Sequence, residues 1–126
     1  MRGLKAALYD FWSGFDMPAY LQDSVPDGAP LPYITYEVTR PPAMNSLPLV
    51  AIAWFPPTVD GNIRRTAVQD MIADAIPEGG VRLPIDGGGF LVLDRNPSGF
   101  IMDYQDPEDT SIIGARVSYL VRFYFA

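Results

Sequence analysis

The feature that most constrains this chain is its last segment. From Ile112 to Phe125, Ala115, Val117, Tyr119, Val121, Phe123 and Phe125 fall on one side. Arg116, Ser118 and Arg122 point the other way, with Leu120 and Tyr124 among them. A period of two is the signature of a strand, because successive side chains leave a pleated backbone on opposite faces. A strand leaves its backbone N–H and C=O groups in need of neighbours, so the chain has to supply a sheet around this segment.

Prolines and glycines divide the rest. Tyr33 to Arg40 alternates as a half-buried strand, with Ile34, Tyr36 and Val38 inward, and Pro41 and Pro42 stop it. Leu47 to Phe55 is apolar on both sides, which predicts a strand that lies inside the sheet or is covered on both faces. Val81–Ile85 and Phe90–Asp94 flank Asp86-Gly87-Gly88-Gly89 as a hairpin. Phe100–Tyr104 reads as a further short strand, followed by an acidic turn from Asp103 to Thr110.

Two segments have helical spacing. Leu4, Leu8, Phe11, Trp12 and Phe15 recur at intervals of three and four, a core-facing stripe that ends near Gly14 and Pro18. A second helix begins at a cap supplied by Thr58 or Asp60. Its expected apolar face is Ile63, Ala67, Met71, Ile72, Ala75 and Ile76, with Arg64, Arg65, Gln69 and Asp74 on the wet side. Between the first helix and the first strand, Met17 to Pro32 carries four prolines and reads as a loop with a short extended piece at Ala19–Leu21. The order helix, two strands, helix, several strands predicts an α+β domain: an antiparallel sheet with two helices packed on one face, its exposed face free to meet a partner chain. The 126 residues fit one domain, 1–126, and a 48% hydrophobic content suffices for a core without covalent staples.

Composition narrows the chemistry. There is no histidine and no cysteine, which removes the commonest general base near neutral pH, the commonest metal ligand, disulfides and thiolate sites. Lys5 is the sole lysine and follows no Gly-rich loop. The Gly87–Gly89 triplet is followed by a strand rather than by a helix opening on GK[ST], so it reads as a turn and not as a phosphate loop. Asp103, Asp106, Glu108 and Asp109 form a carboxylate cluster whose spacing departs from the twelve-residue calcium loop. A solvated acidic turn is its expected state; a small calcium-binding module or a two-carboxylate hydrolase is the alternative of a different class. The expectation is therefore a non-enzyme without cofactor or metal. The net charge of −6 and scattered arginines argue against a nucleic-acid partner. No apolar stretch approaches the roughly 18 residues of a membrane span, and no secretory leader is visible, so a soluble cytoplasmic product is expected. Arg64, Arg65, Arg116 and Arg122 are candidates for salt bridges across an oligomer interface, for which arginine forks are suited, with ordinary surface solubilisation as the alternative; Asp106, Glu108 and Asp109 complete the candidate interface set.

The order of these segments resembles a family of small structural proteins of long-tailed bacteriophages and prophages, the tail terminator or tail completion proteins. The resemblance begins in LYDFWSGFDMPAYLQDSVPDGAPLPYITYEV, continues in AWFPPT and GGV…IDGGGFLVL, and ends in QDPEDTSIIGARVSYLVRFYFA. PYITYE is its most telling piece. Pro56 and Pro57 stand where such proteins more often show polar residues, and 94–104 lacks their basic character.

The resemblance implies a curved sheet with helices packed against it and no catalytic residues. It implies a ring, typically a hexamer, that caps the completed tail tube, stops its polymerisation and presents a surface to head–tail connector proteins. The expected partners are copies of the chain, the tail tube protein and the connector; the expected location is the virion neck, after assembly in the host bacterial cytoplasm. Another neck or head-completion protein of the same virion is the alternative. An acidic ring would not grip passing DNA, because like charges repel, and the proline-rich arm 17–32 would extend over a neighbour.

Overall fold

The computed structural model describes residues 2–39 and 46–124. The first expected strand ends at Tyr36, short of the expected Arg40, with 37–39 outside regular strand; Arg40, Pro41–Pro42 and Phe125 lie outside the described residues. The elements are α1 (Arg2–Trp12), β1 (Ala19–Leu21), β2 (Tyr33–Tyr36), β3 (Ser46–Phe55), α2 (Val59–Ala75), β4 (Val81–Pro84), β5 (Phe90–Arg95), β6 (Ile101–Gln105) and β7 (Ile113–Tyr124). The fold is α+β, with one curved sheet in the order β1-β2-β3-β7-β5-β4 and β6 also paired to β7.

The long terminal alternation is the axis of this sheet. β7 pairs with β3 along the whole of β3, from Ser46↔Arg122 to Phe55↔Ile113. Its other edge is shared: β5 takes Tyr119–Tyr124 and β6 takes Ile113–Val117. β5 and β6 thus behave as one strand interrupted opposite a single residue. Ser118 O accepts from Asn96 N at 3.2 Å, and Ser118 N donates to Phe100 O at 2.7 Å, so residues 96–100 bulge out while both ends stay in register. The acidic turn closes the β6–β7 hairpin.

The pairing is antiparallel with one exception. β1 runs parallel to β2, Ala19↔Ile34 to Leu21↔Tyr36. The proline-rich segment turns back along its own sheet edge and brings its extended piece in from the same direction as β2. Residues 22–32 make that return, tied by Gln22 N to Tyr36 O at 3.0 Å.

Directly opposed residues share a face, so the register sorts every side chain. One face carries Ile34, Tyr36, Leu49, Ala51, Ala53, Phe55, Leu91, Leu93, Ala115, Val117, Tyr119 and Val121, all buried. Both helices cover it: α1 inserts Leu4, Leu8 and Trp12, and α2 inserts Val68 and Ile72. Ala51, Ala53 and Ala115 leave room for α2 to settle against β3 and β7. Full burial of each large apolar chain here contributes about 1.5–3 kcal/mol.

The rotation of α2 differs from the expected one. Ile72 and Ile76 are buried and Ala75 half-buried, as expected, but Ile63 is 63% exposed and Ala67 and Met71 also face out, while Gly61 and Val68 face the sheet and Arg65 and Gln69 turn towards it. Two local facts set this rotation. Thr58, not Asp60, is the N-cap, and its hydroxyl accepts from Gly61 N at 3.0 Å. A side chain at Gly61 would run into the carbonyl oxygen of Pro56, so only glycine lets the helix start this close to the strand it has just left. The turn at Gly87 and Gly88, both at φ 93°, is formed as expected, with Ile85 N donating to Gly89 O at 3.2 Å.

Candidate interaction surface

Among the described residues no helix covers the second face of the sheet. Its positions are Tyr20 on β1, Tyr33 and Thr35 on β2, Val50, Ile52 and Trp54 on β3, and Gly114, Arg116, Ser118, Leu120, Arg122 and Tyr124 on β7. Ser46 and Pro48 on β3, Arg82 and Pro84 on β4, Phe90, Val92 and Asp94 on β5, and Met102 and Tyr104 on β6 also belong to it. An antiparallel sheet open to water on one side ordinarily shows polar residues there. This one shows aromatics, methionine, aliphatics and arginine, the types enriched where proteins meet. The doubly apolar β3 therefore lies inside the sheet, as one of the two expected arrangements, but only its inner face is covered by helices.

At the β2 end the face partly covers itself. Trp54 lies across β7: a Cβ on Gly114 would sit 3.2 Å from its ring and 2.9 Å from Ile52 Cγ2. The indole N–H donates to Thr35 Oγ1 at 3.0 Å, and Tyr104 meets the ring edge-on at 5.7 Å. Beside it a cleft of about 240 Å³ is lined by Tyr33, Ile52, Trp54, Asp106 and Ile112. Asp106 in this lining brings the acidic turn to this end of the face; burial raises the Tyr33 pKa, and the Asp109 charge adds to the rise.

The other end is open and basic. Phe90 and Tyr124 stack with centroids 4.8 Å apart. The Arg82 guanidinium lies 4.1 Å above the Phe90 ring. Arg122 bonds Asp94 at 2.6 Å and the Tyr124 hydroxyl at 2.9 Å, and its bond to Asp94 raises its pKa. With Val92 these residues line a hollow of about 400 Å³.

The residues expected at an interface are distributed unevenly. Arg116 and Arg122 lie on the uncovered face; Arg116 makes one weak bond, to Ser118 Oγ at 3.4 Å. Arg64 is exposed on α2. Arg65 is internal: it bonds Asn62 Oδ1 at 2.8 Å and the Gly114 carbonyl at 3.5 Å, and its Nε lies 3.4 Å from Asp103. That last contact is an ion pair without hydrogen-bond alignment. Gln69 also donates to Asp103 at 2.8 Å.

Asp103 therefore stands on the helix-covered face and apart from Asp106, Glu108 and Asp109, so the four carboxylates do not converge. Among the described residues no group of three or more acidic, histidine or cysteine side chains is arranged to hold a metal ion. In the turn, Asp106 accepts from Glu108 N at 2.9 Å. Asp109 accepts from the hydroxyl and backbone N–H of Ser111, which lower its pKa. These are turn-forming bonds.

Sequence reasoning missed Arg82, Phe90, Met102 and Tyr104 as surface residues, and the exposure of Val59 and Ile63 on α2. The apolar character of both sides of β3 was the available signal. No helix among the described residues is long and apolar enough to cross a membrane. Compared with known protein families, curated proteins and solved structures, the chain matches none of them.

Proposed function

We propose that this chain is a structural virion protein of a long-tailed phage or prophage. In this reading it assembles as a ring, a hexamer by resemblance, on the end of the tail tube, stops tube growth and offers a joining surface to the head connector. The observation that carries the reading is the uncovered sheet face: a sheet apolar on both sides, with helices on one, calls for a second chain on the other. The curved sheet and the order of its elements agree with the resemblance, and the negative net charge suits a channel that DNA traverses without being held.

The test is to mix the purified chain with tail tubes assembled from the tail protein of the same virus. Rings at tube ends and arrested elongation are the expected result. Failure to sediment with tubes, together with co-purification with capsids, would transfer the chain to the head-completion role.

A further inference from the structure

We infer that the uncovered sheet face of one copy receives the outer side of α2 from a second copy, joined head to tail. The inference deepens the ring reading and rests on it, since it names the contact between neighbours.

Among the described residues nothing packs on the outer side of α2. Val59 is 80% exposed and Ile63 63% exposed. At helical spacing Val59, Ile63 and Ala67 form one line. Asp60, Asp70 and Asp74 are exposed around that line, whereas Arg64 falls towards the flank. A shallow trough of about 610 Å³ runs along it, between Val59 and Asp70.

The part of the sheet face away from the acidic turn has the opposite charge. On β4 to β7 its positions include Arg82, Arg116 and Arg122, and the sole carboxylate there is Asp94, already held by Arg122. Arg82 and Arg116 have no carboxylate partner among the described residues. Apolar side chains, including Phe90, Val92 and Leu120, lie between these cations.

Charge selects the geometry. Helix against helix would set aspartates against aspartates, and the β4–β7 part of the sheet against its own copy would set arginines against arginines. Helix against the β4–β7 part of the sheet pairs opposite charges while burying both apolar surfaces. The dimensions agree: seventeen residues of α2 span about 25 Å at 1.5 Å each, and Arg116 to Arg122 spans roughly 20 Å along β7. The two surfaces belong to opposite sides of the protomer. The contact is therefore heterologous and propagates from copy to copy, closing into a ring when its rotation allows.

The natural chain has no cysteine, so single-cysteine variants report one position each. Ile63→Cys is mixed in turn with Met102→Cys and with Tyr124→Cys and treated with a short bis-maleimide, with native mass spectrometry in parallel. Cross-linked dimers in at least one mixture, and in none of the variants alone, are expected. Ile63→Glu, at an exposed site, is expected to weaken self-association at least tenfold with unchanged melting temperature. Rings that form without cross-links in either mixture, or cross-linking of Ile63→Cys with itself, overturn this contact and leave the tail reading standing. A persistent monomer overturns it as well. Cross-linked oligomers that ignore tail tubes uphold the contact and remove the tail reading.

Discussion

Trp12 donates its indole N–H to the Tyr119 hydroxyl at 3.2 Å, joining the first helix to the last strand across 107 positions of sequence. Both side chains are fully buried and their rings lie 5.4 Å apart. The bond satisfies the two polar atoms that these large side chains carry into the core. Tyr119→Phe keeps the ring but leaves the indole N–H unpaired. We expect a loss of about 1–3 kcal/mol in urea unfolding, whereas Tyr124→Phe, at the half-exposed end of β7, should cost less.

The same tyrosine makes stability fall in alkali. Burial pushes its pKa well above the ordinary 10.0, a rise only partly offset by the Trp12 bond. The unfolded chain therefore releases this proton first. The contribution is complete below pH 10.0 and declines as pH rises beyond it. Midpoints of urea unfolding measured from pH 8 to 11 should drop past pH 10.0 in the natural chain and drop less in Tyr119→Phe.

Gly61→Ala tests the rotation of α2. The added methyl group meets the Pro56 carbonyl, so the first turn has to move away from the strand end. A loss of about 1–3 kcal/mol is expected, although alanine is the better helix former in isolation. A stability equal to or above that of the natural chain would show that the helix start is free to shift.

Arg95 closes the other end of that helix. Its guanidinium donates to the carbonyls of Ile76 at 2.7 Å and Ala73 at 2.9 Å, and stacks 4.7 Å from the Phe100 centroid. A cation there satisfies terminal carbonyls and opposes the negative end of the helix dipole. Arg95→Ala should cost about 1–2 kcal/mol and speed amide exchange in the last turn of α2 before the rest of the helix. Arg95→Lys should recover part of the loss, since an ammonium lacks the forked geometry that reaches both carbonyls.

Much of the fold was legible because hydrophobic period and chain breakers are local. Leu4, Leu8 and Trp12 announced the buried side of α1, and Ile34 and Tyr36 that of β2. The Gly-rich turn separated β4 from β5. The rotation of α2 was not legible, because its two sides are similarly apolar: Ile63 and Ala67 on one, Val68 and Ile72 on the other. Gly61 against Pro56 and Arg65 against Asp103 decide between them, and both are contacts between elements. The parallel entry of β1 depends likewise on the path of residues 22–32, which carry no periodic signal.

Alternation, helical spacing and composition specify a two-helix α+β domain around a long terminal strand, without histidine or cysteine chemistry. Alternation and spacing are properties of neighbouring residues and need no knowledge of where other segments lie. Only the tertiary structure decided which apolar sides are covered. Strand register placed Val50, Ile52, Phe90, Val92 and Leu120 on the face away from both helices. It also separated Asp103 from the acidic turn and set Arg82, Arg116 and Arg122 on one surface. The physical reason is that a side chain's own polarity states its preference for burial, whereas the elements packed above it determine whether that preference is met within the chain or left for another.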